Sequence, residues 1–144
     1  MKRFTGILLF FIAVFLTACK STATKQPAVE VMGQKVSVNG GTYTDVSVTE
    51  LQSMLANKNF TFVNVHIPFD GNIAKTDISI PYDQIGQNLD KLPSDKNAKI
   101  VLYCRSGRMS AIAAETLVRL GYTNIWNLSG GMAAWEQAGL KVTR

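Results

Sequence analysis

The first block of hydrophobic residues lies at positions 6–16, directly after the basic residues Lys2 and Arg3. The block is 11 residues long, which is shorter than the about 20 residues that a helix needs to span a bilayer. A short apolar segment that follows positive charge near the start of a chain is typical of a secretory signal peptide. We therefore expect residues 1–18 to be a signal peptide.

The residues at the end of this block predict a lipid anchor. Leu16, Thr17, Ala18 and Cys19 form the sequence LTAC, which resembles the lipobox of bacterial lipoproteins. The resemblance implies that Cys19 receives a diacylglyceryl thioether and becomes the first residue of a membrane-anchored lipoprotein on the extracytoplasmic side of the cell envelope. Two or more acyl chains hold a soluble domain stably at a membrane. The alternative is an ordinary signal peptide or an uncleaved anchor, in which Cys19 has no special role.

Polar residues dominate positions 20–42, which include Pro27, Gly40 and Gly41. No sustained hydrophobic period is present there, apart from a stretch at 35–40 that is compatible with a short strand or a turn. We therefore expect residues 19–42 to be the lipidated N-terminus and a tether, and residues 43–144 to be the folded domain.

Beyond position 42, segments of β-branched and apolar residues alternate with segments whose apolar residues recur every three or four positions. The first kind predicts strands at 43–48, 60–65, 77–82, 98–104 and 123–128. The second kind predicts helices or helical turns at 49–58, 82–92, 109–122 and 132–140. Thr49 and Gln52 have the spacing of a capping box for the first helix, and Gly121 would end the third. This alternation predicts an α/β fold with a mainly parallel central sheet and helices on both faces.

Composition and charge narrow the class of protein. The chain has 144 residues, 47% of them hydrophobic, which is enough for one domain with a core. The formal charge of +5 becomes +3 without Lys2 and Arg3, and such a small, dispersed charge argues against a nucleic-acid partner. With Cys19 lipidated, Cys104 is the sole thiol of the domain, so no internal disulfide can form. A single histidine argues against a metal site.

Cys104 ends an apolar strand and is followed at once by RSGRM and a helix. Ligands of parallel α/β sheets bind beyond the carboxyl ends of the strands. The first N–H groups of the helix have no backbone partner and, with the helix dipole, favour an anion. Arg105 and Arg108 add two positive charges. These features favour a reactive thiolate at Cys104, and the alternative is an inert cysteine at the end of a strand.

The sequence YCRSGRMSAIAAETLVRLGYTNIWNLSGGMAAW at 103–135 resembles the catalytic half of single-domain rhodaneses. The cysteine segment, the helix that ends on LGY and the segment LSGGMAAW match in order and spacing, and the resemblance extends from residue 43 to residue 142. It implies a rhodanese-like fold and a sulfurtransferase without a cofactor. Cys104 would attack a small-molecule donor such as thiosulfate, become a persulfide, and pass the sulfur to a thiol, to cyanide or to a protein acceptor.

The resemblance also assigns roles to the residues after the nucleophile. Their backbone amides would hold the persulfide and the oxyanion of the donor, and the two guanidinium groups would bind its sulfonate end. Gly107 would permit the tight turn, and Ser110 would cap the helix or donate to the sulfur. The full set of predicted donor-binding residues is Arg105, Ser106, Gly107, Arg108, Met109 and Ser110.

The chain departs from the family pattern at the end of the strand predicted at 60–65. Rhodaneses usually have Asp-x-Arg there, whereas this chain has Asn64, Val65 and His66, and the usual GHIPGA segment is replaced by GNIAKTDISIP. Asn64 and His66 retain hydrogen-bonding capacity, and we consider both as braces beneath the cysteine. For His66 the alternative is a base or a charge partner for Cys104.

Three other functions compete with a sulfurtransferase. A cysteine phosphatase of related fold requires an arginine six residues after the cysteine, where this chain has Ser110. A catalytically weak rhodanese-like module that binds a partner protein at the cell envelope would explain the altered segment at Asn64 and His66, but not the intact loop after Cys104. A redox sensor is disfavoured because the mature domain has no second cysteine to resolve an oxidised thiol.

Overall fold

The computed structural model describes residues 30–144. The predicted signal peptide, the predicted lipidation site at Cys19 and residues 20–29 of the predicted tether lie outside the described residues. Within residues 30–144, no helix is long and apolar enough to cross a membrane.

The described residues form an α/β fold. Its strands are β1 (Gln34–Val38), β2 (Gly41–Val46), β3 (Thr61–Asn64), β4 (Asn72–Ile73), β5 (Ile78–Ser79), β6 (Ile100–Tyr103), β7 (Ile125–Leu128) and β8 (Val142–Thr143). Its α-helices are α1 (Val48–Ala56), α2 (Arg108–Arg119) and α3 (Gly131–Gln137). Two short 3-10 helices at Tyr82–Gln87 and Leu89–Lys91 occupy the segment where helical turns were predicted.

Six strands form the central sheet in the order β1-β2-β7-β6-β3-β5. The strands from β2 to β5 in this order run parallel, and β1 is antiparallel to β2. β4 and β8 form a separate antiparallel pair in which Asn72 lies opposite Thr143. The predicted mainly parallel sheet is confirmed. β6 lies between β3 and β7, and all four of its residues are buried.

Helices cover both faces of the sheet, as predicted. On one face, α2 and the first 3-10 helix pack over a layer that includes Leu102 and Leu117. On the other face, α1 and α3 pack over a layer that includes Leu51, Val101 and Met132. Full burial of a side chain of this size stabilises the fold by about 1.5–3 kcal/mol. Consecutive residues of β6, such as Val101 and Leu102, belong to different layers, because strand side chains alternate between the faces of a sheet.

The first strand lies within the segment that the sequence analysis assigned to the tether. Residues of β1 pair along the whole strand with β2, and Val36 lies opposite Tyr43. The turn between the strands contains Gly40, whose φ of 96° is accessible to glycine at little steric cost. The central sheet therefore begins upstream of the boundary expected at residue 43.

The capping box of α1 is formed by Ser47 and Glu50, so its prediction at Thr49 and Gln52 is wrong. Ser47 has extended backbone angles directly before Val48, the first helical residue. Its hydroxyl oxygen accepts from the N–H of Glu50 at 3.3 Å, and the Ser47 N–H donates to Glu50 Oε2 at 2.8 Å. The helix begins at Val48, two residues before the start that a cap at Thr49 would give.

Candidate active site

Cys104 directly follows β6, at the carboxyl end of the central sheet. It is 1% exposed and packs in the layer beneath α2, whereas Tyr103 packs in the opposite layer. Among the described residues its thiol is free of any disulfide. Cys104 is therefore a buried candidate nucleophile at the edge where parallel α/β sheets bind ligands.

Two hydrogen-bond donors lie next to the sulfur atom. The backbone N–H of Gly107 donates to Cys104 Sγ at 3.1 Å, and the hydroxyl oxygen of Ser110 lies 3.4 Å from the same sulfur. Ser110 is fully buried. Its hydroxyl oxygen also lies 3.1 Å from the carbonyl oxygen of Gly107, so its single proton has two acceptors within reach. The turn that brings these groups together has a φ of 90° at Gly107, which favours glycine.

We call residues 104–110 the cysteine loop, and we call five of its backbone N–H groups open because they have no hydrogen-bond acceptor among the described residues. No described acceptor takes a hydrogen bond from the N–H groups of Arg105, Ser106, Arg108, Met109 or Ser110. The N–H of Ala111 bonds to the carbonyl oxygen of Gly107 at 3.0 Å and starts the helical ladder of α2. Open N–H groups at the start of a helix favour a bound anion. The loop can therefore stabilise a thiolate or an anionic sulfur adduct of Cys104.

The two arginines of the cysteine loop have different surroundings. The guanidinium group of Arg105 forms an ion pair with the carboxylate of Asp70, in the loop after β3. Arg108 is the first residue of α2 and is exposed, and it forms no ion pair with any residue in 30–144. The structure places both predicted arginines on the cysteine loop, but it gives only Arg105 a counter-charge within the described part of the chain.

A chain of alternating charges extends from Arg105. Asp70 Oδ1 also accepts a hydrogen bond from Arg144 Nε at 3.2 Å, and Arg144 Nη1 lies 2.7 Å from Glu136 Oε1 on α3. We call Arg105, Asp70, Arg144 and Glu136 the charge network. The hydrogen bond from Arg144, together with the charges of Arg144 and Arg105, lowers the pKa of Asp70, and Arg144 likewise lowers the pKa of Glu136. Both carboxylates are therefore ionised at neutral pH.

Asn64 fixes the loop that contains Asp70. The side chain of Asn64 is buried. Its Nδ2 group donates to the carbonyl oxygen of Gly71 at 2.8 Å and to Asn72 Oδ1 at 3.0 Å. Its Oδ1 atom accepts from the backbone N–H of His66 at 3.0 Å. One side chain thus holds the start and the end of the loop after β3, whereas the sequence analysis considered Asn64 as a brace beneath the cysteine.

The ring of His66 makes no hydrogen bond with Cys104. Its Nδ1 atom is buried and has no hydrogen-bond partner among residues 30–144. The backbone of His66, held by Asn64, is the part of this residue that belongs to the bracing contacts. Within residues 30–144 the structure therefore provides no hydrogen bond through which the ring would act on the sulfur.

Two residues of the site were not predicted from the sequence. A Cβ atom at Gly131, whose φ is 57°, would lie 2.3 Å from the carbonyl oxygen of Cys104, so the first residue of α3 must be glycine for the helix to start against the cysteine loop. The pair of glycines at 130 and 131, directly before MAAW, was the feature of the sequence that could have indicated this close approach. Asp70 is the second such residue, and it had no signal, because its partner Arg105 is 35 residues away.

Residues 47–138 match the family model of the rhodanese-like domain. The chain belongs to the rhodanese-like family. The matched region of this rhodanese-like domain includes Cys104, the whole cysteine loop and the start of α3, and the family that the residues around Cys104 predicted is confirmed.

Relatives and a solved structure agree with this assignment. The rhodanese-like chain is 35% identical over 65 residues to a protein from Allochromatium vinosum named sulfurtransferase. The matched region covers 45% of this chain and 59% of that protein. It is 49% identical over 37 residues to a putative mitochondrial thiosulfate sulfurtransferase from Schizosaccharomyces pombe, with 26% of each chain covered. A rhodanese-related protein from Thermoplasma volcanium superposes with a TM-score of 0.59 at 30% identity, covering 69% of this chain and 96% of that one. The chain thus spans less than two thirds of the length of these two curated relatives.

Proposed function

We propose that the protein is a sulfurtransferase that holds sulfane sulfur as a persulfide on Cys104. The observation that supports this most directly is the position of the Cys104 sulfur, 3.1 Å from the N–H of Gly107 and next to the open amides of the cysteine loop. A persulfide is anionic, so the groups that stabilise the thiolate also stabilise the product of sulfur uptake. Membership of the rhodanese-like family and the names of the two curated relatives support the same activity.

With thiosulfate as the donor, the Cys104 thiolate attacks the outer sulfur atom. A new S–S bond forms at Cys104, the S–S bond of thiosulfate breaks, and sulfite leaves with the electron pair. In the second half-reaction, cyanide or a thiolate attacks the outer sulfur of the persulfide, takes that atom and returns Cys104 as a thiolate.

Intact mass measurements on the purified full-length protein test this proposal. Thiosulfate should add one sulfur atom to the wild type and to Cys19→Ser, and cyanide should remove it with release of thiocyanate. Cys104→Ser should take up no sulfur while its circular dichroism stays unchanged. If Cys104 in the folded wild type never takes up sulfur, the proposal is wrong, and the alternative of a partner-binding module at the cell envelope replaces it.

A phosphatase activity has no support in this site. The side chain six residues after Cys104 is the buried hydroxyl of Ser110, which contacts the sulfur and the Gly107 carbonyl oxygen. An arginine that would bind phosphate there is absent. We expect no hydrolysis of aryl phosphates above background, and phosphate release that disappears in Cys104→Ser would contradict the sulfurtransferase assignment.

We also propose that the protein is a lipoprotein of the cell envelope that faces the extracytoplasmic side, on the basis of LTAC after the apolar block at 6–16. Metabolic labelling with an alkyne fatty acid tests this. The wild type and the matched variant Cys104→Ser should be labelled and should sediment with membranes, whereas Cys19→Ser should remain unlabelled. Full labelling of Cys19→Ser would contradict the proposed anchor.

A further inference from the structure

The charge network leaves the two arginines of the cysteine loop unequal. Arg105 shares the carboxylate of Asp70 with Arg144, and Arg144 is also paired with Glu136. The four members of the network have two positive and two negative charges, so together they are neutral. Within residues 30–144, Arg108 is the cation of the cysteine loop that no carboxylate neutralises.

The backbone that follows Asp70 is held by two contacts. The next residue, Gly71, has its carbonyl oxygen bound by the buried side chain of Asn64. The residue after that, Asn72, belongs to β4 and pairs with Thr143 of β8. Arg144 follows β8, and β8 pairs with β4. Arg144 therefore reaches Asp70 from the strand next to β4. The contact between Asp70 and Arg105 is thus supported from two sides.

We propose that Asp70 is a specificity-determining residue, which neutralises Arg105 and thereby shifts the preference of the site from dianionic toward monoanionic sulfur donors. This inference rests on the proposed sulfurtransferase function. The energy of a charge pair scales with the product of the charges. If Arg105, like Arg108, had no carboxylate partner, it would therefore attract a dianion such as thiosulfate about twice as strongly as a monoanion such as a thiosulfonate. Asp70 removes most of that advantage.

Both donors deliver the same sulfur by balanced reactions. Thiosulfate and the Cys104 thiolate give the Cys104 persulfide and sulfite. A thiosulfonate anion and the Cys104 thiolate give the same persulfide and a sulfinate, which leaves with the electron pair of the broken S–S bond. Because the product on Cys104 is identical, cyanide can serve as the acceptor in both assays. A difference between the donors then reports on donor recognition and not on the second half-reaction.

The test compares kcat/KM for thiosulfate with kcat/KM for methanethiosulfonate anion at low ionic strength. Asp70→Asn should raise the ratio of thiosulfate to methanethiosulfonate roughly fivefold, the effect of about one additional unit-charge contact near the surface. Arg144→Gln leaves the carboxylate of Asp70 less neutralised, so it should lower the ratio. Asp90→Asn removes the same charge from an exposed residue outside the network and should leave the ratio unchanged. The change in Asp70→Asn should shrink at high salt, because salt screens exposed charges.

The two directions of change separate specificity from a structural role. If Asp70 only maintains the fold of its loop, both Asp70→Asn and Arg144→Gln lower kcat/KM for both donors equally, and the proposal is wrong. An unchanged or lower ratio in Asp70→Asn also overturns it. If neither donor adds sulfur to Cys104 in the wild type, the proposed sulfurtransferase function itself fails, and the specificity proposal fails with it.

Discussion

The backbone N–H of Met132 donates a hydrogen bond of 2.8 Å to the carbonyl oxygen of Cys104. The N–H of Ala133 makes the same kind of bond, 2.9 Å long, to the carbonyl oxygen of Arg105. The first turn of α3 thus uses its unpaired N–H groups to hold the cysteine loop. This close approach is compatible only with a residue that has no Cβ atom at Gly131.

Gly131→Ala should therefore destabilise the protein and displace the cysteine loop. Its Cβ atom would lie 2.3 Å from the carbonyl oxygen of Cys104. We expect the free energy of unfolding to fall by about 1–3 kcal/mol more than in Gly139→Ala. Gly139 is the matched control, because its φ of 79° imposes a similar backbone strain but its Cβ atom would meet no heavy atom within 4 Å. Urea denaturation measures both variants, and equal losses of stability would contradict this account.

Arg108→Ala should weaken use of an anionic donor. A hydrogen bond to a charged group contributes about 1.5–3 kcal/mol, and about 1.4 kcal/mol corresponds to a factor of ten. We therefore expect kcat/KM for thiosulfate to fall roughly tenfold or more. Arg119→Ala is the control, since Arg119 is the last residue of the same helix and its side chain is half exposed. If both variants keep the wild-type rate, the backbone amides bind the donor without help from Arg108.

Asn64→Ala should destabilise the loop after β3. The substitution leaves the carbonyl oxygen of Gly71 and the N–H of His66 without their side-chain partner. A buried polar group left unpaired costs about 1–3 kcal/mol, so the free energy of unfolding should fall by at least that amount. Asn88→Ala removes one exposed hydrogen bond to Gln84 and should cost much less. A similar loss in both variants, measured by urea denaturation, would show that Asn64 is not a brace.

Glu50 should make the stability of the fold depend on pH. Hydrogen bonds from the backbone N–H groups of Ser47 and Gly33 lower the pKa of Glu50 below its ordinary value of 4.5. A carboxylate whose folded pKa is lowered stabilises the protein above its unfolded pKa, and this stabilisation is lost as the pH falls through the folded pKa. Glu50→Gln should therefore lose less stability than the wild type between neutral pH and acid pH. Chemical denaturation across this range would show parallel curves if the prediction is wrong.

Ser47→Ala tests the same cap by a route that does not depend on pH. Loss of a serine cap costs about 1 kcal/mol in typical helices, and here the hydroxyl accepts from the N–H of Glu50. Thr49→Ala should cost clearly less, because Thr49 lies inside α1 and its hydroxyl caps no helix end. Thermal denaturation distinguishes the two variants, and an equal loss of stability would contradict the assignment of Ser47 as the cap.

Local patterns in the sequence predicted the parts of the structure that depend on local contacts. The all-apolar run that ends at Cys104 predicted β6, and the periodic residues after it predicted α2, whose end at Gly121 has the expected positive φ of 89°. The position of the cap of α1 was wrong by two residues, because a hydrophobic period defines a helix face more sharply than its first residue.

Contacts between distant residues were beyond the reach of these patterns. β4 and β8 have two residues each, too few to show a period, and they form only because the end of the described chain returns to the loop after β3. The pair of Arg105 and Asp70 depends on the path of that same loop. The sequence showed that both arginines follow Cys104, but their unequal pairing required the three-dimensional structure.

Because the side chains of β6 alternate between the two layers, the layer that holds the candidate nucleophile Cys104 depends on its exact position in the chain. Leu102 and Cys104 share one layer, and Val101 and Tyr103 share the other. Adding or removing a single residue within this strand would exchange the two sets and send the sulfur toward α1 and α3, away from Ser110 and the turn at Gly107. Insertions in the segment before β6 would leave Cys104 in the same layer, because pairing with β3 and β7 sets the register again at Ile100. Length variation in this domain should therefore be tolerated beside the central strand and excluded from it.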